Sequence, residues 1–364
     1  MQKLKTLQKE IKSLGLNSFL VTTPNNVRFL SNFNGTSGMM LITPSKAFLL
    51  TDFRYIQKAK AILPKEIELV DITRMLRNPL GFTGAWQKLL SKHKLEKIAF
   101  ESTEMTVQRL EFFKKISKNS KLIAQTNLVE NLRIVKTDEE MKKLIRSQRI
   151  NEQTLKKVIP LLKVGVTESE IGRKIQIIGL EQGAEAMSFD PIVAFAANSA
   201  SPHHEPTNKK LVRNEVVLID MGMKFAGYCS DMTRTFLPKK ATNEQKAIYS
   251  KVLEAQENCI KKLHTKLHGG QGDELARGVI KQAGYREQFG HSTGHGIGLD
   301  IHEAPNLAAG GSDKLPVNTV VTVEPGIYLP GNFGVRIEDM VIVGEKKVEV
   351  MTKMPKKLSD ITIL

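Results

Sequence analysis

Two candidate β-hairpins, each with an acidic residue on both arms, constrain the fold of this 364-residue chain more than any other feature. In the first, residues 216–222 and 227–233 form the arms, and Asp220 is placed to face Asp231 if the turn centres between Phe225 and Ala226, close to Gly227. Side chains directly opposite each other in an antiparallel pair lie about 4.5–5.5 Å apart at Cβ. The spacing predicts two buried carboxylates that share one cation, because without a cation they would repel each other.

The second candidate hairpin repeats this arrangement closer to the C-terminus. Its arms are residues 321–326 and 335–339, and Glu324 faces Glu338 when the turn centres on Gly331. Each acid lies in or after a run of Val and Ile that should be buried, and a buried charge requires compensation. Acidic residues on exposed strand faces are the alternative interpretation, which fits either pair alone better than both together. The two pairs predict a metal site.

Histidines concentrate between the two hairpins. Residues 291–303 contain three of the eight histidines, His291, His295 and His302, among several glycines. Histidine is the commonest metal ligand and the usual proton shuttle near neutral pH. The spacing of His291 and His295 matches a helical zinc motif, but the intervening glutamate is missing and the glycines oppose a helix. The stretch instead predicts a loop and a strand that pack closely against another element.

Residues 202–205 are a weaker candidate. They include His203 and His204. Polar stretches between periodic segments are usually solvated connections, so this one alone predicts a surface loop.

The chain is predicted to form two domains with a boundary near residue 128, because its length exceeds what one hydrophobic core usually serves. In residues 1–128, short apolar runs alternate with amphipathic segments, which is typical of an α/β domain. The predicted strands are residues 18–21, 39–42, 47–50, 68–70 and 97–100, and the predicted helices are residues 26–31, 54–61, 85–93 and 107–116.

Residues 129–364 combine long amphipathic helices with β-rich stretches. Capping boxes predict helix starts at Thr137, Thr167 and Thr242, each followed three residues later by Glu or Gln. A fourth helix is predicted around residues 273–282, and it ends at Gly284, a candidate left-handed cap. The predicted β-rich stretches are residues 188–196, 215–221, 228–236, 319–327 and 335–343.

Charge and composition argue against nucleic-acid and membrane partners. The net charge is +16, but Lys and Arg are scattered among Asp and Glu, whereas phosphate binding favours a one-faced basic stripe. No run approaches the ~20 apolar residues of a membrane span, and residues 1–15 lack the apolar stretch of a signal peptide. The only cysteines are Cys229 and Cys259, which fits a reducing compartment. We therefore expect a soluble cytoplasmic protein.

These motifs resemble the Xaa-Pro peptidase family, which contains aminopeptidase P and proline dipeptidase (prolidase). Residues 189–193 through His203, the two acidic hairpins, and residues 336–339 follow the order of the family's catalytic half. The stretch 291–303 satisfies the family signature. The resemblance covers nearly the whole chain.

The first half resembles the creatinase-type N-terminal domain of that family at residues 33–38 and 51–55. The resemblance therefore implies an α+β fold. In it, a pita-bread metallopeptidase catalytic domain, residues 129–364, follows a smaller α/β creatinase-like domain, residues 1–128. It also implies a homodimer in which the N-terminal domain of one subunit lies near the active site of the other.

The resemblance implies a site with two divalent metal ions. Asp231 and Glu338 are expected to bridge the two ions. Asp220 completes one ion site, and His295 with Glu324 completes the other. Oxygen-rich ligation with one imidazole suits Mn²⁺, and Co²⁺, Fe²⁺ and Zn²⁺ are also chemically admissible. Glu324 is expected to carry a proton from the attacking water to the leaving proline nitrogen.

Other side chains are implied to line the substrate pocket. The resemblance places His302 at the scissile carbonyl, His291 at the substrate beyond it, and His203 elsewhere in the pocket. Arg336 shares a strand face with Glu338 by alternation, which suits fixing a carboxylate or relaying a proton. No role is implied for His204.

The implied function is metal-dependent hydrolysis of an N-terminal Xaa-Pro peptide bond, of the aminopeptidase P type. A prolidase that acts on Xaa-Pro dipeptides is the alternative, and no residue decides between the two. A metal-free pita-bread binding protein is a third interpretation, but such relatives lose ligands and all five stand here. A methionine aminopeptidase fits poorly because a full N-terminal domain is present. The intact acids argue against a creatinase-like amidinohydrolase.

Overall fold

The computed structural model of the protein describes residues 2–73 and 81–363. It divides into two compact units, Met1–Arg133 and Ile134–Leu364. The sequence places the predicted domain boundary slightly earlier, near residue 128.

The first unit is a six-stranded sheet with helices. Its strands are β1 (Ser18–Val21), β2 (Gly38–Ile42), β3 (Ala47–Thr51), β4 (Ile67–Asp71), β5 (Lys97–Glu101) and β6 (Lys121–Gln125). Its described helices are α1 (Gln2–Ser13), α2 (Pro24–Ser31), α3 (Ile56–Ile62), α4 (Gly81–Lys92) and α5 (Val107–Ile116), and α6 (Glu130–Ile134) spans the division between the units. The strand order is β4-β3-β2-β1-β5-β6.

This sheet is covered on both faces, which explains the nearly continuous apolar runs of its strands. Phe19 and Val21 belong to one apolar cluster, whereas the intervening Leu20 belongs to another. All five predicted strands and all four predicted helices of this half are confirmed. Helix α1 and strand β6 were not predicted. In α1 the apolar residues Leu4, Leu7 and Ile11 are separated by charged residues, and β6 is a short, partly exposed edge strand.

The second unit contains four long helices and fourteen short strands among the described residues. The helices are α7 (Asp138–Val158), α8 (Glu168–Glu181), α9 (Asn243–Lys262) and α10 (Gly269–Gln282). The strands are β7 (Ala186–Met187), β8 (Ile192–Phe195), β9 (Val217–Met221), β10 (Met223–Phe225), β11 (Tyr228–Cys229), β12 (Met232–Pro238), β13 (Gly294–Gly296), β14 (Glu303–Leu307), β15 (Val320–Val323), β16 (Gly326–Leu329), β17 (Phe333–Arg336), β18 (Asp339–Val343), β19 (Val348–Val350) and β20 (Thr362–Ile363). Short 3₁₀ turns occupy Ile159–Leu161, Ala196–Ala200 and Arg286–Gln288.

Two sheets of this unit carry the candidate site. One has the order β20-β12-β9-β8, and the other has the order β14-β13-β15-β18-β19. A three-stranded sheet, β11-β10-β7, and the β16-β17 hairpin complete the unit. Helices and sheets share one continuous apolar core.

The helix boundaries follow the capping signals in the sequence. Thr137, Thr167 and Thr242 each accept a hydrogen bond from the third backbone N–H of the helix, and the Glu or Gln at that position bonds back to the cap. Gly284 has a φ of 88° just beyond α10, as a left-handed cap requires. These four predictions are confirmed. Across residues 2–73 and 81–363, none of the helices is long and apolar enough to cross a membrane.

The turn of the first acidic hairpin differs from the predicted one. Phe225 pairs with Tyr228, so the turn consists of Ala226 and Gly227. Both turn residues have positive φ, 50° and 82°. This is the two-residue geometry that matches the right-handed twist of the flanking strands. The turn therefore centres one residue later than the sequence predicted.

The shifted turn changes the partner of each acid. Asp220 pairs with Thr233 in the β9–β12 ladder, so the prediction that Asp220 directly faces Asp231 is wrong. Extending the ladder by one step places Asp231 diagonal to Asp220 on the same face. The two acids consequently remain neighbours, with the Thr233 hydroxyl beside them.

The predicted register of the second acidic hairpin is confirmed. Val323 pairs with Asp339 between β15 and β18, and Gly326 pairs with Arg336 between β16 and β17. The turn is centred on Gly331, which has a φ of 75°. These two ladders belong to the same hairpin and are separated by a short interruption.

The interruption falls at the two acids. The backbone N–H of Glu324 donates to the carbonyl of Thr293 at 2.8 Å, and that of Glu338 donates to the carbonyl of Thr233 at 3.2 Å. Glu324 is thereby tied to the chain entering β13, and Glu338 is tied to β12. The two arms of the hairpin are therefore not paired with each other at Glu324 and Glu338. At this point each arm is bonded to a different neighbouring segment instead.

Candidate metal centre and active site

The five predicted ligands lie where strands end or break, and all five line one cavity of about 480 Å³. Their positions are Asp220 in β9, Asp231 just before β12, His295 in β13, Glu324 just after β15, and Glu338 just before β18. All are buried except Glu324, whose side chain is 16% exposed. The structure therefore brings together all the residues that the sequence proposed as ligands.

Asp231, His295 and Glu338 form the tightest part of this group. Each offers a ligand atom within 4.8 Å of the others. The His295 Nε2 atom lies 3.6 Å from an Asp231 oxygen and 3.3 Å from a Glu324 oxygen. Asp220 lines the same cavity and bonds to Arg336. One imidazole nitrogen surrounded by carboxylate oxygens is a donor set that suits a divalent cation.

The hydrogen bond of His295 fixes which ring nitrogen is available. Its Nδ1 atom lies 3.0 Å from the Gly296 carbonyl, which can only accept, so Nδ1 carries a proton and donates it. The other nitrogen, Nε2, faces the carboxylates. This arrangement orients metal-binding histidines in general.

Two buried carboxylates have one oxygen held and the other without a partner. Arg336 donates to one oxygen of Asp220 at 2.7 Å, and the Thr233 hydroxyl donates to one oxygen of Glu338 at 2.8 Å. The second oxygens, Asp220 Oδ1 and Glu338 Oε1, have no hydrogen-bond partner among the described residues. Buried polar atoms are normally satisfied, and a cation would satisfy both. The residues present therefore fit a metal site.

The electrostatics of the site without metal also favour a bound cation. Burial, followed by the charges of Glu338 and Asp220, raises the pKa of Asp231 well above its ordinary value. Burial, followed by the charge of Glu324, does the same to the pKa of Glu338. Buried carboxylates this close cannot all ionise without a cation. Metal binding must therefore release protons from the site.

His295 and Glu324 are the two members of the cluster whose opposite charges stabilise each other. Burial would raise the pKa of Glu324, but the hydrogen bond and charge of His295 outweigh it and lower this pKa to about 2. Burial likewise opposes the proton on His295, yet the pairing with Glu324 raises the pKa of that imidazole. Without a metal, a proton on His295 provides the positive charge that a cation would otherwise supply.

Arg336 connects the two hairpins in the wall of the cavity. Its guanidinium donates to Asp220 at 2.7 Å, to the Thr233 hydroxyl at 2.9 Å and to the Tyr328 hydroxyl at 2.9 Å. Thr233 in turn donates to Glu338. Arg336 thus holds one candidate ligand directly and a second one through a hydroxyl.

Tyr328 extends this network to His291. The Tyr328 hydroxyl accepts from Arg336, so its own proton is free to point at His291 Nε2, 2.8 Å away. The other ring nitrogen, Nδ1, lies 2.8 Å from the Ser292 carbonyl and must donate to it. Burial lowers the pKa of His291 below its ordinary value. The ring is therefore neutral, with its proton on Nδ1.

The remaining pocket histidines differ in exposure. His203 and His302 are exposed in the cavity wall, and the His302 ring packs edge-on against His295 with centroids 4.4 Å apart. His204 also lines the cavity, but its Nε2 bonds to buried Glu168 at 2.9 Å. Glu168 also accepts from the backbone N–H of Thr207. His204 therefore anchors the segment that carries His203.

Tyr328 and Thr233 are the site residues that the sequence reasoning missed. Tyr328 lies two residues beyond Gly326, which pairs with Arg336, so alternation places Tyr328 and Arg336 on the same hairpin face. Thr233 would have emerged from the correct register, as the partner of Asp220.

The glycines around His295 allow β13 to pass between its neighbours. A Cβ atom on Gly294 would lie 2.0 Å from the Thr322 carbonyl oxygen, and one on Gly296 would lie 2.4 Å from the Ala304 carbonyl oxygen. Backbone atoms cannot give way as flexible side-chain ends do. The close packing predicted from these glycines is confirmed.

We expect Gly294→Ala to destabilise the protein by about 1–3 kcal/mol, the range for overpacking a tight interior. Because Gly294 precedes His295, metal affinity should fall as well. Urea unfolding of the metal-free protein measures the first effect, and titration calorimetry measures the second. Gly290→Ala is the matched control, since its Cβ would meet open space. Equal urea midpoints for Gly294→Ala and wild type would contradict the close packing.

Comparisons with known proteins cover nearly the whole chain. A sequence model of metallopeptidase family M24 matches residues 142–345, and one of the creatinase/prolidase N-terminal domain matches residues 3–135. An uncharacterized peptidase of Bacillus subtilis is 33% identical over 356 residues, which cover 98% of this chain and 99% of that protein.

Two solved structures are similar along their full length. The Xaa-Pro dipeptidase from Bacillus anthracis has a TM-score of 0.94 and 37% identity, covering 100% of this chain and 99% of that one. The X-Pro aminopeptidase from Thermotoga maritima has a TM-score of 0.89 and 32% identity, covering 97% of this chain and 100% of that one. These likenesses confirm the predicted α+β fold with its N-terminal domain. One of the two structures is named as a dipeptidase and the other as an aminopeptidase, so their names differ in the length of the peptide substrate.

Proposed function

The chain belongs to metallopeptidase family M24, as a metallo-exopeptidase of its Xaa-Pro branch, and on that premise we propose that it removes the N-terminal residue from peptides whose second residue is proline. One observation carries the proposal. Buried carboxylates surround His295 Nε2 in the cavity, and two of them, Asp220 and Glu338, retain an oxygen without a partner among the described residues. Such a site suits hydrolysis assisted by metal.

We propose that the site holds two divalent ions, most suitably Mn²⁺. Asp231 and Glu338 would bridge them, Asp220 would complete one ion site, and His295 with Glu324 would complete the other. When bound, such ions lower the pKa of a water molecule and stabilise the charge that develops on the scissile carbonyl. The oxygen-rich donor set supports Mn²⁺ over softer metals.

Glu324 is the proton carrier in this proposal. Without metal, the hydrogen bond and charge of His295 hold the pKa of Glu324 at about 2, so the carboxylate is ionised near neutral pH and its oxygens can only accept a proton, here the one from the attacking water. The same carboxylate then delivers the proton to the proline nitrogen as the peptide bond breaks. Arg336 is not available as a carrier, because its guanidinium remains protonated in proteins and holds Asp220.

The pocket walls orient the substrate. His203 and His302 present exposed imidazoles, and His291 presents a neutral ring fixed by Tyr328. Phe189 is among the apolar side chains that also line the cavity. A proline ring has no N–H to offer in the scissile bond, so shape rather than hydrogen bonding must select it.

The charges of the cavity support an aminopeptidase rather than a dipeptidase. In the described part of the chain, Arg336 is the only Lys or Arg side chain that lines the cavity, and its guanidinium already donates to Asp220, Thr233, Tyr328 and the Pro202 carbonyl. Asp190 and Glu205 line the cavity as exposed acids. The free carboxylate of an Xaa-Pro dipeptide would meet repulsion there, whereas a longer peptide carries that charge further away.

We expect kcat/KM to be at least about tenfold higher for Xaa-Pro-Yaa than for Xaa-Pro, which corresponds to about 1.4 kcal/mol of unfavourable charge interaction. The measurement compares both substrates in Mn²⁺-containing buffer. Xaa-Pro amide is the matched control, because it has the size of the dipeptide without its carboxylate. The amide should be cleaved better than the dipeptide.

Three outcomes of the same assay would contradict the proposal. Faster cleavage of the dipeptide than of its amide would favour the prolidase alternative. Equal cleavage of Xaa-Ala-Yaa would remove proline selectivity from the proposal. No cleavage of any of these peptides after metal reconstitution would refute Xaa-Pro hydrolysis itself.

Two further properties belong to this proposal. We propose a homodimer with the N-terminal domain of one subunit near the active site of the other, testable by light scattering. We also propose a cytoplasmic location, which the two free, buried cysteines support. A stable, active monomer would contradict the first of these.

A further inference from the structure

Helix α10 lies beside the segment that carries His291 but contributes no side chain to the cavity. Two of its residues, Asp273 and Arg277, are one helical turn apart and face this segment. Neither belongs to the proposed metal ligands or to the pocket histidines.

The two side chains form a fork-to-fork ion pair. Arg277 donates from Nε to one carboxylate oxygen of Asp273 at 2.6 Å and from Nη2 to the other at 2.9 Å. Asp273 is 1% exposed. Bidentate pairing of this kind fixes orientation as well as charge, because the guanidinium plane cannot rotate without breaking both bonds.

The oriented pair then grips the segment from residue 289 to residue 293. Arg277 donates from Nη1 to the Phe289 carbonyl at 2.9 Å and from Nη2 to the His291 carbonyl at 2.7 Å. Asp273 accepts from the backbone N–H of Thr293 at 3.0 Å. Three backbone groups on alternate residues are therefore fixed by two side chains of one helix.

The grip also reaches the His291 ring. The Arg277 guanidinium lies 4.3 Å from the centroid of the Phe289 ring, and that ring meets the His291 ring edge-on with centroids 5.0 Å apart. Tyr328 holds the far side of the imidazole. The His291 ring is thus set by its own backbone, by Phe289 and by one hydroxyl.

We propose that Asp273 and Arg277 are positioning residues that set the His291 imidazole for the substrate. The inference rests on the proposed function, in which His291 touches the bound peptide. Neither residue touches substrate or metal itself. A displacement of about 1 Å in a group that positions substrate can cost about 10²-fold in rate, so a rigid grip of this kind has catalytic consequences.

Arg277→Lys is the decisive variant. Lysine keeps the charge beside buried Asp273, which protects the fold, but a single ammonium cannot reproduce the fork and reach both carbonyls. We expect kcat/KM for Xaa-Pro-Yaa to fall about 10- to 100-fold, mainly through KM, while metal content stays at the wild-type level. Arg286→Lys is the matched control, because its side chain is 69% exposed. It should retain wild-type kinetics.

A double-mutant cycle separates positioning of His291 from a general structural role. If the grip acts through His291, Arg277→Lys should cost less than about threefold in a His291→Ala background, since interacting residues are non-additive. Phe289→Leu leaves the ion pair intact, removes the ring between Arg277 and His291, and serves as a second variant should Arg277→Lys fold poorly. It should show the same coupling. Multiplicative losses in both cycles, or wild-type kinetics for both variants, overturn the proposal.

Nitrogen NMR of the His291 ring gives a test that needs no turnover. In wild type and Arg286→Lys the ring should be neutral with its proton on Nδ1, and Arg277→Lys should populate the other tautomer. Unchanged His291 signals in Arg277→Lys and Phe289→Leu overturn the grip even if the enzyme is active. Absence of Xaa-Pro cleavage in wild type, with the expected signal change present, refutes the proposed function and leaves the grip standing.

Discussion

Asp231→Asn should lower kcat/KM by about 10³-fold or more while raising the thermal stability of the metal-free protein. The loss of activity follows because the variant removes the charge of a proposed metal ligand, and metal assistance contributes several kcal/mol to such reactions. The gain in stability follows because Asp231 is buried beside Glu338 and carries a raised pKa. The Asp231 charge is thus expected to increase activity and to lower the stability of the metal-free protein, and this one substitution tests both effects.

The stability gain has a definite pH dependence. The folded-state pKa of Asp231 lies above the unfolded value, so its contribution to stability is fully present below the ordinary aspartate pKa. That contribution is lost as pH rises through the folded-state value. Asparagine cannot ionise and escapes this loss. The difference in Tm between variant and wild type should therefore grow with pH when metal is absent.

The measurements are peptide turnover and differential scanning calorimetry with and without Mn²⁺. Asp190→Asn is the matched control, because Asp190 lines the same cavity but is exposed. It should keep its activity on Xaa-Pro-Yaa and its Tm. An Asp231→Asn protein that retains wild-type turnover would exclude Asp231 as a ligand, and one with a lower metal-free Tm would contradict the repulsion argument.

Glu324→Gln should lower kcat by about 10²- to 10⁴-fold, the usual contribution of a positioned acid or base. Glutamine keeps the size of the side chain and one ligand oxygen but cannot accept the proton of the attacking water. It also removes the charge that holds a proton on His295 in the metal-free site, so the His295 pKa should fall. We expect KM for Xaa-Pro-Yaa to change much less than kcat.

Metal analysis of Glu324→Gln distinguishes a proton carrier from a ligand alone. A variant that keeps its metal but loses kcat supports proton transfer by Glu324. Glu205→Gln is the isosteric control from the exposed cavity wall and should leave kcat unchanged on the same tripeptide. If Glu324→Gln regains wild-type kcat when saturated with metal, the carboxylate acts only as a ligand.

The contrast between the two hairpins explains how far sequence predicts this site. The sequence predicts the second hairpin correctly because Gly331 marks the centre of its turn and the acids are symmetric about it. For the first hairpin, the predicted turn centre is one residue too early, because Ala226 adopts a φ of 50°, a conformation that residues other than glycine rarely take. Hydrophobic periodicity and turn glycines reveal local pairing, whereas a strained turn residue is set by the surrounding fold.

The family resemblance supplied what spacing could not. Membership of the Xaa-Pro peptidases and a metallo-exopeptidase activity are confirmed, and both rested on motif order along the chain. The contacts of Tyr328 and Arg277 were not predicted. Each depends on side-chain directions between different elements, such as the 2.8 Å bond between the Tyr328 hydroxyl and His291 and the 2.7 Å bond from Arg277 to the His291 carbonyl. Periodicity within one element carries no information about such contacts.

The opening in the second hairpin makes assembly of this site depend on contacts between distant parts of the chain. Glu324 and Glu338 are tied by their own backbones to Thr293 and Thr233, which belong to different parts of the chain. Contacts of such long sequence separation form only after the loops between them have closed. A peptide containing either hairpin alone cannot assemble the ligand set, however well it forms β-structure. Binding of the proposed metal ion would therefore report that the two sheets have come together.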